Sequence, residues 1–263
     1  MDFYVIPPIE HLSLMHSGDR YFCLAQLYVE SKEYSDFFKR LPTNAWVTLD
    51  NGAGDHSLVT EDILFDVMSE LMPNEVIPPD VLFDAKTTKK NAEKFYKRMQ
   101  KAGLDDKIEI LFCPQGETAD DWFESYLWGL EQPWIKTIGL SKIAVPKALL
   151  DKENDTFIKE ARHIAFNMLK ANGKLQKPLH LLGMGDPREY AYYQQDEYSK
   201  YIRSSDSANS VWSAMNDIDW TKGRFRRIPT PKNYFERKIE SDKLLQVTTT
   251  FENNIDFLRQ SVV

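Results

Sequence analysis

Short apolar runs that end in polar residues recur along the first 206 residues of the chain, at 3–7, 21–29, 45–50, 75–80, 108–113, 135–140, 179–183 and 201–206. Runs of this length, bounded by polar or turn-forming residues, predict buried strands. Segments of helical period lie between most of them. Glu61–Leu71 carries Ile63, Leu64, Val67, Met68 and Leu71 on one face, with Thr60 in front as an N-cap. Residues 88–102, 119–130 and 155–171 read the same way, the last closing at Asn172-Gly173 as a helix C-cap does. Alternation of strand and helix implies parallel pairing, and eight such units predict a single (β/α)8 TIM-type barrel. An open doubly wound sheet is the competitor. No Gly-x-Gly-x-x-Gly follows an early strand, which counts against a dinucleotide-binding version of it.

Past Asp206 the pattern changes. Residues 216–238 are polar and basic and contain Pro229 and Pro231, which predicts an ordered loop or excursion. Residues 241–263 predict one or two closing helices, packed through Leu244, Leu245, Phe251, Ile255, Phe257 and Leu258. The expected organisation is a catalytic barrel over residues 1–215, with 216–263 packed on it; 263 residues suit one domain of this kind.

Composition adjusts this picture only slightly. Hydrophobic residues make up 42% and charged residues 28%, as in ordinary globular domains. No run of about 18 apolar residues predicts a membrane span, and Met1-Asp2-Phe3-Tyr4 has no secretory character. Cys23 and Cys113 are the two cysteines, in separate apolar segments, so neither a disulfide framework nor a cysteine-rich zinc site is expected. A cytoplasmic protein without metal or cofactor is the expectation. The net charge of −7 argues against indiscriminate nucleic-acid binding. Yet residues 222–238 hold Lys222, Arg224, Arg226, Arg227, Lys232, Arg237 and Lys238 against Glu236, interleaved with Phe225, Tyr234 and Phe235. Such a stretch grips a phosphate backbone or simply forms a solvated surface.

In a parallel barrel the active site lies at the carboxyl ends of the strands. Those ends read Asp50-Asn51-Gly52, Pro79-Asp80, Pro114-Gln115-Gly116, Gly139-Leu140-Ser141, Leu182-Gly183-Met184-Gly185 and Ser205-Asp206-Ser207. Any one of these aspartates, alone, is a cap or turn residue. Three carboxylates and a glutamine predicted on one face favour function, because buried carboxylates need partners or a purpose.

The ordered series Thr48-Leu49-Asp50-Asn51-Gly52-Ala53-Gly54, Ile77-Pro78-Pro79-Asp80, Cys113-Pro114-Gln115-Gly116, Ile138-Gly139-Leu140, His180-Leu181-Leu182-Gly183-Met184-Gly185 and Asp206 resembles tRNA-guanine transglycosylases. It is most similar to the short phage-type relatives linked to inserting 7-deazaguanines into DNA, over roughly residues 45–210. The resemblance implies Asp206 as the nucleophile at the sugar C1′ and Asp50 as general acid/base. Asp80 and Gln115, with Gly116, would meet the purine edge. Gly139 and Leu140 would read the base through their backbone, and Leu182 would lie under its plane. Outside the residues that carry the resemblance, the basic stretch with Lys222, Arg224, Arg226 and Arg227 is expected to clamp the nucleic-acid backbone. DNA rather than RNA is the implied polymer, with a free modified purine as co-substrate.

The chemistry agrees with those residue types. Glycosidic cleavage develops oxocarbenium character that a carboxylate near C1′ stabilises or captures, and a second acid manages the proton of the departing base. Carboxylate and amide groups match guanine-like edges, and a paired base must first leave the stack. The sequence departs from the family in three places. The zinc-binding cysteines after the nucleophile are absent, Ala53 stands for the second glycine, and Gly54-Asp55 replaces an aromatic and a glutamine. The aromatic that stacks over the base is therefore missing, which keeps a second reading alive: a DNA glycosylase that leaves abasic sites. A reading of another class is a non-catalytic nucleic-acid-binding barrel.

His11, His16, His56, His163 and His180 show no metal-binding spacing. His56 follows the Asp50 loop and either approaches the site or sits on the surface; His180 lies within an apolar strand and reads as a core residue. Tyr190, Tyr192, Tyr193, Tyr198 and Tyr201 either stack on bases or pack, and helical spacing favours packing. Trp122, Trp128 and Trp134 read as packing residues of the outer layer.

Overall fold

A computed structural model describes residues 1–53, 58–152, 158–226 and 228–260, with Asp196 described through its backbone alone. The eight strands are β1 (Asp2–Val5), β2 (Tyr21–Leu24), β3 (Val47–Asp50), β4 (Glu75–Val76), β5 (Glu109–Phe112), β6 (Ile135–Ser141), β7 (Leu179–Leu182) and β8 (Ile202–Ser207). They form one sheet in the order β1-β8-β7-β6-β5-β4-β3-β2, and the pairs with a defined register are parallel. With helices between the strands, the chain has the expected (β/α)8 barrel fold. Each of the eight apolar runs overlaps one of these strands. By contact the chain divides into two compact units, residues 22–182 and residues 1–21 with 183–263.

The 22–182 unit holds α1 (Ala25–Glu30), α2 (Lys32–Lys39), α3 (Glu61–Leu71), α4 (Ala85–Ala102), α5 (Ala119–Glu131), α6 (Ala144–Leu150) and α7 (Ile158–Ala171). Strand β6 is buried at all but one position, as a parallel strand covered on both faces requires. Thr60, Asp84 and Thr118 cap α3, α4 and α5 by accepting the backbone N–H three residues on. Gly103 and Gly173, at φ +64° each, take the left-handed conformation that ends α4 and follows α7. One run is corrected: residues 25–29 are helical, although their apolar character continues that of β2. Helix α1 begins without a side-chain cap, and Ala25, Gln26, Leu27 and Tyr28 are all buried, so neither a cap nor an amphipathic face marks the boundary. Strand β4 is shorter than its run and covers two residues. The expected start of α7, at Asp155, lies outside the described residues.

Trp122 is fully buried beside Tyr126, and Trp128 and Trp134 meet at a ring separation of 5.9 Å. His180 is buried and stacks on Phe22, a core position as expected.

The other unit contains β1 and β8, α8 (Pro187–Tyr193), α9 (Asp196–Ser199), α10 (Asn209–Met215) and α11 (Leu244–Gln260), with 3-10 segments at Ile9–Ser17, Trp220–Lys222 and Tyr234–Glu236. Its core joins Phe3, Val5, Tyr190, Trp220, Phe251 and Ile255. One helix, α11, closes the chain. It packs through Val247, Phe251, Ile255 and Leu258, whereas Leu245 is 81% exposed and Leu244 45%. The expectation that those two leucines pack is thereby corrected: they lie at the start of α11, before its buried positions begin at Val247. Among the described residues no helix is long and apolar enough to cross a membrane.

Candidate active site

Asp50 ends β3, half-buried, and its Oδ2 accepts the Gly52 N–H at 3.0 Å. Gly52 sits at φ +84°, a conformation glycine adopts without strain, so the chain turns back immediately over the Asp50 carboxylate. The next residue, Asn51, is 1% exposed. Its Nδ2 donates to the Pro78 carbonyl at 2.7 Å and to Asp80 Oδ1 at 2.8 Å, while its Oδ1 accepts the Ala53 N–H at 2.8 Å.

Asp80 follows β4 and is 5% exposed. Besides the bond from Asn51, it receives Gln115 Nε2 on its other oxygen, Oδ2, at 2.5 Å. Burial pushes the Asp80 carboxyl above the ordinary aspartate value, and the amide donors of Asn51 and Gln115 pull it back. Gln115, after β5, is completely buried; its Oε1 accepts the Phe83 N–H at 3.1 Å. Phe83 lies at φ +68°, a backbone region that costs a bulky side chain about 1–2 kcal/mol. Gln115 thus spans from the carboxylate of Asp80 to the strained residue that closes the same loop.

The other predicted base-site residues divide by function in packing. A Cβ on Gly139 would stand 2.6 Å from Leu182 Cδ1, so the Leu182 side chain occupies the space beside this glycine. The carbonyls of Leu140 and Leu182 both accept Nη1 of Arg162, at 3.1 and 3.0 Å. Arg162 comes from α7 and is wholly buried, and it ties the ends of β6 and β7 together. Gly116 serves close packing: a Cβ there would meet the Trp122 backbone nitrogen at 2.3 Å.

In the unit built on β1 and β8, Asp206 is 6% exposed on β8, opposite Tyr4 of β1. Its Oδ1 accepts the Gly183 N–H at 2.9 Å, and its backbone carbonyl accepts the Met184 N–H at 2.8 Å. Gly183 is at φ +69°, which aims its N–H without a Cβ penalty. Ser207 and Asn209 donate to the Met184 and Gly185 carbonyls, so the 183–185 turn is fastened at several points around the carboxylate.

The basic stretch belongs to the same unit. Lys222, Arg224 and Arg226 are exposed, and Lys222 pairs with Asp219 at 2.9 Å. Arg227 lies outside the described residues, as do Gly54, Asp55 and His56. The aromatics of the stretch point to packing: Phe225 meets Phe257 at 5.3 Å, and buried Tyr234 donates its hydroxyl to the Ile6 carbonyl. Tyr190 and Tyr193 are buried, while Tyr192 and Tyr198 stack at 4.6 Å.

Both cysteines are buried thiols. Burial raises each well above its ordinary value, and nearby aspartates add to this: Asp50 for Cys23, Asp80 and Asp50 for Cys113. Neither is a thiolate nucleophile at neutral pH. Among the described residues no group of acidic, histidine and cysteine side chains could hold a metal ion. An open cleft of roughly 570 Å³ lies beside this cluster, lined by Phe83, Asp84, Lys86, Lys89, Glu117 and neighbours, but not by Asp50, Asp80 or Gln115.

Sequence reasoning missed Asn51 and Arg162. Asn51 had one available signal, its place between Asp50 and Gly52. Arg162 had a stronger one: it interrupts the apolar face Ile158, Ala161, Ala165, Phe166, Leu169 of α7 at a core position.

No protein-family model and no curated protein matches the chain. Solved structures do. Phosphoribosyl anthranilate isomerase in complex with a reduced ribulose 5-phosphate compound is 14% identical, with 79% of this chain and 86% of that one covered at a TM-score of 0.42. An HpcH/HpaI aldolase/citrate lyase family protein from Burkholderia cenocepacia is 9% identical, covering 82% and 90% at 0.49. N-acetylneuraminate lyase from Mycoplasma synoviae is 10% identical, covering 97% and 80% at 0.44.

Proposed function

We propose that this chain is an enzyme that cleaves an N-glycosidic bond in DNA and exchanges the base for a free 7-deazaguanine-type base. The observation that carries the reading is Asp206: a carboxylate at the end of β8, 6% exposed and fixed through Oδ1 by the Gly183 N–H. Its carboxylate attacks C1′ of the nucleotide as the C1′–N bond breaks, and a glycosyl ester forms. Asp50 supplies the proton that the departing base takes. The incoming base then attacks C1′ through its ring nitrogen, expels the Asp206 carboxylate and returns its proton to Asp50. Asp80, oriented by two amide donors, accepts the N–H groups of the base edge. Gly139, Leu140 and Leu182 supply the backbone and apolar surface around the base plane. Arg224 and Arg226, exposed on the chain that follows, suit phosphate contacts.

One specific feature favours a second reading. Position 54 is glycine, so the aromatic expected to cover the base is absent from that position. Water could then resolve the ester, which would make the protein a glycosylase.

The test is nucleoside analysis by mass spectrometry of single- and double-stranded DNA, and of tRNA in parallel, after incubation with and without 7-deazaguanine precursors. Incorporation with release of guanine is the expected result. Base release with abasic sites and no incorporation selects the glycosylase, and no change in any polymer rejects both.

A further inference from the structure

Asn51 directly follows Asp50, and no part of the base-exchange scheme assigns it a task. Its side-chain amide is nevertheless engaged at both its nitrogen and its oxygen. A primary amide offers two N–H donors and a carbonyl acceptor. One hydrogen goes to the Pro78 carbonyl, the other to Asp80, and the oxygen holds the Ala53 N–H. The side chain therefore joins two segments, the turn that carries Asp50 and the Pro78–Asp80 stretch, which it holds through both a backbone carbonyl and the Asp80 carboxylate. Aspartate cannot donate, serine has one hydrogen and a shorter reach, and glutamine is a methylene too long for an almost completely buried position.

We infer that Asn51 is a positioning residue: it holds the Asp80 carboxylate and the Asp50 turn as one hydrogen-bonded unit, so that a nucleobase edge meets an acceptor in a fixed plane. This rests on the reading of Asp80 as the base acceptor. A donor to the charged carboxylate favours ionisation, and it offsets the burial that opposes it. Gln115 performs the same service on the opposite oxygen but is anchored to Phe83, so each acceptor oxygen is tied to a different segment. Among the described residues, the ionisable groups that bear on this cluster include Asp50, Cys113 and, through Asp50, Cys23.

The experiment follows the Asp80 carboxyl directly, by carbon-13 NMR titration of aspartate-labelled protein, with Asp80→Asn to assign the signal. Calorimetric binding of guanine and 7-deazaguanine is measured on the same samples. In Asn51→Ser and Asn51→Asp the Asp80 titration is expected to move to higher pH, further in Asn51→Asp, where a second carboxylate faces the first. Base affinity at neutral pH should fall about tenfold or more, the effect of losing a hydrogen bond to a charged group. A purely structural role would leave the Asp80 titration in place, and that result overturns the inference. If the wild type binds neither base while the titration still moves, the base-exchange reading fails and the positioning role stands. Should both variants unfold, the wild type decides: the Asn51 side-chain amide protons must follow the Asp80 titration, and their indifference to it overturns the inference.

Discussion

The backbone N–H of Gly183 donates to Oδ1 of Asp206 at 2.9 Å, from a glycine at φ +69°. One oxygen of the carboxylate is thereby held by the turn that follows β7, and the geometry tolerates a carboxamide. Asp206→Asn keeps an oxygen for that bond and removes the anionic nucleophile. It should retain its thermal melting point within a few degrees and lose base release by about a thousandfold or more. Gel-based assay of abasic sites and nucleoside analysis read the loss, and circular dichroism reads the fold.

Two glycines should respond differently to alanine. At Gly139 the new methyl meets the flexible end of Leu182, which can shift, so destabilisation of about 1–3 kcal/mol is expected. At Gly116 it meets the Trp122 backbone at 2.3 Å, which cannot yield cheaply, so Gly116→Ala should cost more than Gly139→Ala. Urea denaturation of both variants checks the order. Gly139→Ala should also weaken base binding, because Leu182 moves.

Arg162 should matter out of proportion to its distance from the proposed chemistry. Arg162→Met leaves the Leu140 and Leu182 carbonyls without this donor in a buried setting, at a cost of about 2–4 kcal/mol. Chemical denaturation measures it, with Arg162→Lys expected to lie between the two. Equal stability of Arg162→Met and the wild type would show that the clamp is not needed to hold the strand ends.

Acid sensitivity has a definite source in the N-terminal 3-10 segment. His11 Nε2 accepts the Ile239 N–H at 3.0 Å, which requires a neutral ring nitrogen. Burial lowers its ionisation below the ordinary value of 6.5, against the opposing charge of Glu10, which itself pairs with Lys238. The unfolded chain therefore binds this proton more readily than the folded one. The contribution is present above pH 6.5 and is lost as pH falls toward the lowered folded value. His11→Gln, which retains an acceptor, should flatten that part of the stability-against-pH curve measured by urea titration.

The basic stretch makes a salt-dependent prediction. Arg224→Ala and Arg226→Ala should each reduce the slope of log affinity against log salt for DNA by about 1, uniformly across sequences. Lys222→Ala should do less, since Lys222 already pairs with Asp219. Fluorescence anisotropy over a range of salt concentrations reads the slopes.

The eight strands were legible because parallel strands buried on both faces leave short apolar runs, such as Ile110-Leu111-Phe112 of β5. The β2–α1 boundary was not, because Leu24 provides no side-chain cap and the helix that follows is buried from its first residue. At the site, periodicity located the strand ends and hence Asp50, Asp80, Gln115 and Asp206. It could not reveal that Asn51 and Gln115 spend their amides on Asp80, because those bonds join residues 29 and 35 positions apart. Leu245 shows the converse error: an apolar residue at a helix start was read as core, although the apolar stripe of α11 begins at Val247.

Base exchange by this route requires a covalent bond between Asp206 and the sugar. Intact-protein mass spectrometry, after rapid denaturation of wild-type protein mixed with single-stranded DNA and no incoming base, tests it most directly. The expected product is a protein–DNA adduct lacking one base, which peptide mapping assigns to Asp206 and which Asp206→Asn does not form. Release of the base with no adduct, at an undiminished rate in Asp206→Asn, would contradict it.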